Sequence, residues 1–259
     1  MSKTKIQWTE RTWNPVTGCT KYSAGCANCY AETMAKRLQG MGSKRYKNGF
    51  KVTLHPEVLD EPKKVKESSM FFVCSMADLF HKDVPCSFIE FVMITIEDTP
   101  RHTYQLLTKR TEEMHNYFES WWGFESIPKN AWIGTTVENI EAKERIGWLT
   151  KIENAPVRFL SCEPLLSDLG KLDLSGINWV IVGGESGPNA RPMKKEWVLN
   201  IKRQCEEQGV AFFFKQWGTW GEDGVKRNKK ANGCLLDGVE YKQMPTQRRF
   251  EIDSDRYSS

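Results

Sequence analysis

The sequence predicts an α/β fold, a partial or full (β/α) barrel, from three observations. Short runs rich in β-branched and aromatic residues recur at residues 70–75, 103–108, 131–136, 157–162, 179–183 and 210–215. Longer segments with helical spacing and charged faces lie between them, and such alternation requires crossover connections and hence a parallel sheet. A short run at residues 11–16 adds a first strand, for about seven βα-like units. A doubly wound open sheet shares this alternation, so the pattern leaves both architectures standing.

Along the chain, each element has a local reason. Residues 11–16 form a short strand just ahead of a cysteine-rich loop, and residues 31–39 are the helix after it. Strand 70–75 leads to helix 87–98, whose stretch from Phe88 to Ile96 is apolar but short and interrupted by Glu90. Strand 103–108 leads to helix 111–118, and strand 131–136 to a helix expected over residues 138–149. Strands 157–162 and 179–183 read as buried, and helix 195–208 with strand 210–215 closes the series. After Gly218, Gly, Asn and Lys cluster around residues 228–233. The expected organisation is therefore a barrel over residues 1–220 and a C-terminal loop or hairpin extension over residues 221–259, packed on the barrel.

The chain carries 37 Lys+Arg against 33 Asp+Glu, a formal charge of +4, and its 39% hydrophobic content with 10 Trp, 13 Phe and 7 Tyr argues against disorder. No window approaches the roughly 20 apolar residues of a membrane-spanning helix, so no membrane partner is expected. The start, Met1 to Trp8, lacks the apolar core of a secretory signal. A reducing cytoplasm is the expected location, and the eight cysteines are not first read as disulfides. Basic side chains exceed acidic ones at both ends of the chain and acidic ones dominate the middle. Lys44, Arg45, Lys47 and Lys51, with Tyr46 and Phe50 among them, resemble a phosphate-tracking, base-stacking stretch. A solvated lysine-rich loop is the plain alternative.

In parallel βα architectures the loops after the strands carry the chemistry. Here the strands end in Cys74-Ser75-Met76-Ala77-Asp78, Thr108-Lys109-Arg110, Thr135-Thr136-Val137-Glu138, Ser161-Cys162-Glu163-Pro164, Gly183-Gly184-Glu185-Ser186 and Lys215-Gln216-Trp217. Lys109, Glu138, Glu163 and Glu185 at equivalent heights are expensive to bury unless they bind something or one another. They point to one shared site.

The most specific feature is a C-x6-C-x2-C run, Cys19, Cys26 and Cys29, in a glycine-bearing loop. Three thiols on one short loop can converge on one metal centre. Structural zinc wants a fourth ligand nearby, yet the next His or Cys is His55 and no second C-x2-C pair exists. Three thiolates suit a [4Fe–4S] cluster whose fourth iron is left open for a small-molecule ligand.

Trp13-Asn14-Pro15-Val16-Thr17-Gly18-Cys19, running into Gly25-Cys26-Ala27-Asn28-Cys29-Tyr30-Ala31-Glu32, resembles the signature of the phage-encoded three-cysteine proteins. That family is similar to radical S-adenosylmethionine enzymes of the spore photoproduct lyase-like type. The likeness continues through Ser75-Met76-Ala77-Asp78-Leu79-Phe80-His81, Leu107-Thr108-Lys109-Arg110, Trp132-Ile133-Gly134-Thr135-Thr136-Val137-Glu138, Ser161-Cys162-Glu163-Pro164-Leu165-Leu166 and Gly183-Gly184-Glu185-Ser186-Gly187. It covers about residues 6–220. The commonest radical-enzyme motif is C-x3-C-x2-C, and the wider first gap here lengthens the loop.

The resemblance implies a radical S-adenosylmethionine-type barrel in which Cys19, Cys26 and Cys29 hold three irons and S-adenosylmethionine chelates the fourth. Reductive cleavage would then give a 5′-deoxyadenosyl radical, with an electron donor such as flavodoxin or ferredoxin, in the host cytoplasm of a phage. Lys109 is expected to meet the methionine carboxylate and Glu163 or Glu185 its ammonium. Ser75 and Asp78 are expected at the same end or the ribose, Tyr30 on the cluster loop, and Glu138 within the same cofactor-binding set. The Gly-Gly-Glu run that meets the methionine amino group in many radical enzymes follows an early strand, whereas Gly183-Gly184-Glu185 falls late. Cys74 and Cys162 are candidate hydrogen donors to a substrate radical, with burial as small hydrophobes the plain alternative.

Cys86, Cys205 and Cys234 show no ligand spacing, and His81 and His102 read as hydrogen-bonded structural residues. Trp121, Trp122, Trp217 and Trp220 suit base stacking, core packing or a lid. The leading expectation is a radical enzyme that modifies or repairs a nucleic acid or nucleotide. A zinc-containing nucleic-acid-binding module is the alternative. A barrel hydrolase using Glu163, Glu185 and Asp78 around a divalent metal is a third, which leaves the cysteine loop unexplained.

Overall fold

The computed structural model describes residues 3–246. Seven parallel strands form one sheet: β1 (Arg11–Trp13), β2 (Met70–Val73), β3 (Thr103–Thr108), β4 (Ala131–Thr136), β5 (Val157–Cys162), β6 (Trp179–Gly183) and β7 (Ala211–Gln216). Their order across the sheet is their order in the chain. A doubly wound sheet reverses its order at a switch point. This sheet never does, so right-handed crossovers keep the helices on one face and the sheet curls into a half-barrel. The helices are α1 (Tyr30–Gly40), α2 (Cys86–Glu97), α3 (Thr111–Tyr117), α4 (Arg145–Thr150) and α5 (Lys195–Glu207).

The strand register sets what lies inside. Phe72 pairs with Gln105, Gln105 with Trp132, Gly134 with Phe159, and Phe159 with Trp179. Side chains alternate faces along a strand, so these rows share the concave side. There Trp8, Phe72, Trp132, Phe159, Trp179 and Phe213 form an aromatic plug, each contributing about 1.5–3 kcal/mol through burial. Gly134 admits the Phe159 ring, because a Cβ at that position would collide with it. Further along the same rows come Lys109, Thr136, Ser161, Glu163 and Lys215. The interior therefore turns polar toward the carboxyl ends of the strands.

The larger apolar layer lies between the sheet and its helices. Beyond β7, Lys242 bridges antiparallel to Phe213. Its ammonium donates to the Phe214 carbonyl and, at 2.8 Å, to Gln7 Oε1, tying the last strand to the segment before the first.

Several expectations need correction. The helix expected over residues 138–149 is α-helical only as α4, after a 3-10 turn at Ile140–Glu144. Asn139 is extended and its side chain accepts from the Ala142 N–H, so it caps that turn and leaves Glu138 on the strand side. No helix joins β5 to β6, where Pro164, Ser167, Asp168, Gly170, Asp173 and Gly176 favour turns, so seven strands are served by five α-helices before the tail. Strand 70–75 stops at Val73 because Cys74 has a left-handed φ of 57°. The run at 11–16 divides into β1 and a separate Val16–Thr17 pair with Thr53–Leu54. Tyr46 is buried with Ala31, Ala35 and Met76, and Phe50 packs partly buried against them, so both rings support α1.

After β7 come a short helix at Lys229–Asn232 and a hairpin of Leu235–Leu236 with Val239–Glu240. The part of the expected extension at residues 247–259 lies outside the described residues. Among the described residues no helix is long and apolar enough to cross a membrane.

Candidate functional site

The cysteine loop leaves β1 and lies across the carboxyl ends of the strands. Gly18 turns it with φ 83°, where a Cβ would strike the Lys51 carbonyl. Cys29 closes it as the extended residue ahead of α1.

Three carboxylate–arginine pairs from strand ends grip this loop. After β2, Asp78 accepts from Thr108 Oγ1 at 2.6 Å, the Lys109 N–H at 3.2 Å and Arg110 Nη1 at 3.1 Å. Arg110 in turn donates to Cys19 Sγ at 3.6 Å and, through Nη2, to the Thr20 carbonyl and hydroxyl at 3.2 and 3.1 Å. After β4, Glu138 accepts from Arg145 Nη1 at 2.9 Å, from the Ser23 hydroxyl and from the Gly25 N–H at 3.3 Å. A Cβ on Gly25 would press on that carboxylate at 3.2 Å. After β6, Glu185 is held by Arg191 in a fork of 2.7 and 2.9 Å and accepts from Asn28 at 3.1 Å. Arg191 also donates to the Ala24 carbonyl at 3.0 Å. The Tyr22 ring lies beneath the Arg110 and Arg145 guanidinium groups, 4.8 and 5.4 Å from its centre.

Glu138 is fully buried. Burial pushes its carboxyl up, but Arg145, Lys109, the Ser23 hydroxyl and its own backbone N–H together hold it below its ordinary range. Glu185 follows the same logic: burial raises it, and the Arg191 and Asn28 hydrogen bonds bring it below normal. At Cys19, burial and then Asp78 push the thiol up while Arg110 pulls it down.

Inside the half-barrel, Glu163 pairs with Lys215 at 2.9 Å. Gly183 makes room, since a Cβ would run into the Glu163 carboxylate. Lys109 is half-buried and has no hydrogen bond or ion pair from its ammonium among the described residues. Tyr30 donates to the Ser75 carbonyl, and Ser75 donates to Asn14 Oδ1 at 3.1 Å. Gly184 and Gly218 let the Gly-Gly-Glu turn pack on the backbone of Trp217 and Glu185.

Of the residues singled out from sequence, the structure gathers Cys19, Cys26, Cys29, Asp78, Glu138 and Glu185 around one loop, and directs Lys109 and Glu163 to the interior below it. Cys74 and Cys162 sit in the apolar layer between sheet and helices; burial raises the Cys74 thiol to about 12 and pushes Cys162 up as well. His81 accepts from or donates to Thr20 Oγ1 at 2.7 Å, and His102 accepts from the Ser69 N–H. Trp217 is buried and Trp220 donates to the Ala190 carbonyl.

Sequence reasoning missed Arg145, Arg191, Ser23, Asn28 and the role of Arg110. Their signal was partly present: Arg145 and Arg191 follow their carboxylates by seven and six residues.

Among the described residues, no group of three or more His, Cys, Asp or Glu side chains is gathered to hold a metal ion. The donor set still suits three-thiolate ligation. Cys19, Cys26 and Cys29 are free and half-buried, and a charged donor meets the Cys19 sulfur.

Residues 3–245 match the model of a family described as a protein of unknown function, DUF5131, and the chain belongs to that family. No curated protein gives a significant match. Among solved structures, spore photoproduct lyase complexed with dinucleoside spore photoproduct is similar at 13% identity and a TM-score of 0.43, over 74% of this chain and 59% of that one. A cysteine-to-serine mutant of spore photoproduct lyase is similar at 14% identity and 0.48, over 80% and 63%. A mutant with bound AdoMet and dinucleoside spore photoproduct is similar at 12% and 0.40, over 75% and 60%. The chain thus spans about three fifths of the length of these structures.

Proposed function

We propose that this DUF5131-family chain is a radical S-adenosylmethionine enzyme. In this reading Cys19, Cys26 and Cys29 hold a [4Fe–4S] cluster, one iron is left to S-adenosylmethionine, and the substrate is a nucleic acid or nucleotide. The observation that carries it is a three-thiol loop fixed over the carboxyl ends of a parallel half-barrel by three carboxylate–arginine pairs. When bound, cluster and cofactor supply reductive cleavage of the sulfonium and hydrogen abstraction from the substrate.

The chain's own residues bind and position. Lys109, whose ammonium makes no hydrogen bond or ion pair among the described residues, would meet the cofactor carboxylate. Glu163, which pairs with Lys215 inside the half-barrel, would accept from the cofactor's ammonium. Asp78, Glu138 and Glu185 support the loop through Arg110, Arg145 and Arg191, so their part is positioning. The same pairing counts against a divalent-metal hydrolase, because Asp78, Glu163 and Glu185 each face a separate cation. A nucleic-acid or nucleotide substrate draws its support from the basic ends of the chain. A small electron-transfer protein such as flavodoxin or ferredoxin would supply the electron.

The test is a pair of variants purified without oxygen. Cys26→Ala should keep its circular dichroism spectrum and lose its iron. Lys109→Ala should keep iron and bind S-adenosylmethionine at least tenfold more weakly by calorimetry. Unchanged affinity would remove Lys109 from the site, and zinc in place of iron in the parent protein would replace the enzyme with a zinc-binding module.

A further inference from the structure

Arg110 differs from the other two loop arginines. Arg145 and Arg191 reach loop backbone or carboxylates, whereas Arg110 also reaches a cysteine sulfur. It is 5% exposed. A guanidinium has five N–H donors, and four bonds are fixed here: Nη1 to Asp78 Oδ2 and Cys19 Sγ, Nη2 to the carbonyl and hydroxyl of Thr20. Asp78 is itself pinned by Thr108 and the Lys109 N–H, and His81 holds Thr20 from the other side. Among the described residues, neither Cys26 nor Cys29 receives a charged donor on its sulfur.

We infer that Arg110 is a positioning residue for the cysteine-held cluster: it fixes Cys19 and tunes the reduction potential through its bond to the Cys19 sulfur. The inference rests on the cluster reading above. Reduction adds negative charge, part of which resides on the cysteine sulfurs, and a cationic N–H donor stabilises that charge. Arg110 therefore makes the cluster easier to reduce. Lysine keeps the positive charge but has no fork, so it cannot serve Asp78, Cys19 and Thr20 together.

Potentiometric titration of the reconstituted cluster, followed by electron paramagnetic resonance, tests this. Arg110→Lys should retain iron and be harder to reduce, by about tenfold in the reduction equilibrium, which is 59 mV for a one-electron couple. Thr20→Ala removes one guanidinium bond while leaving the Asp78 ion pair, and should shift the potential the same way by less. Arg145→Lys and Arg191→Lys, whose guanidinium groups reach no cysteine sulfur, should each shift it by less than Arg110→Lys does. Iron-loaded Arg110→Lys and Thr20→Ala proteins with the parent potential overturn the inference while the cluster reading stands. Equal shifts in all three arginine variants also overturn it, since a general loosening of the loop would then explain them. A parent protein that takes up no iron overturns the cluster reading and the inference with it.

Discussion

Replacing Arg145 with methionine strands the buried Glu138 carboxylate without its cation. Glu138 is fully buried, and Arg145 supplies its only ion pair at 2.9 Å among the described residues while also donating to the Thr136 carbonyl at 2.8 Å. Removing one partner of a buried pair costs about 3–5 kcal/mol, and urea unfolding near pH 7 should show a loss of that size. The pH dependence is diagnostic. Glu138 normally ionises below its ordinary value of 4.5, so its contribution is present above 4.5 and is lost as pH falls through the lower, folded value. Without Arg145, burial dominates and raises the carboxyl above 4.5. The variant then relieves its stranded charge by taking up a proton, and its deficit against the parent should shrink between about pH 7 and pH 4. Glu138→Gln alone should cost about 1.5–3 kcal/mol through its weakened bonds to Ser23, Gly25 and Arg145. The double variant should lose less than the two single losses together. A deficit independent of pH, or strictly additive losses, would refute the buried-pair account.

Other outcomes follow from the same geometry. Gly184→Ala drives a Cβ into the Trp217 carbonyl, which is backbone and cannot swing aside, so it should cost at least about 1–3 kcal/mol in denaturant unfolding. Gly134→Ala meets the Phe159 ring in the plug and should cost about the same. Arg191→Lys loses the fork on Glu185 and the bond to Ala24, so amide exchange at residues 24–28 should quicken while the exchange of β4 and β5 stays unchanged. Because Glu138 and Glu185 both ionise below their ordinary value, acidification below about 4.5 should release the loop before the barrel unfolds, seen as early exchange at residues 19–28.

The strands were legible because their signal is local. β3, β4, β5 and β6 have the bounds that their apolar runs indicate, and β7 is displaced by one residue. No single run of residues encodes the strand order that separates a barrel from a doubly wound sheet; the expected barrel is borne out by strands that follow one another across the sheet in chain order. The three cysteines were legible from spacing, but the clamps around them were not. Ser23 meets Glu138 across 115 residues and Asn28 meets Glu185 across 157. A carboxylate at a strand end looks the same in sequence whether it awaits a ligand or faces an arginine. That ambiguity explains why Asp78, Glu138 and Glu185 read as ligand contacts when their partners are Arg110, Arg145 and Arg191. Lys109, read in sequence as a ligand contact, has no ion pair from its ammonium among the described residues, although it lies near enough to Glu138 to favour that carboxylate's charge.

The most direct test of the account is reconstitution of the parent protein without oxygen, with iron and sulfide quantified and electron paramagnetic resonance recorded on the reduced protein before and after S-adenosylmethionine is added. The account predicts about four irons per chain and a spectrum that changes with the cofactor. Stoichiometric zinc with no iron signal, or a cluster whose spectrum ignores the cofactor, would contradict it.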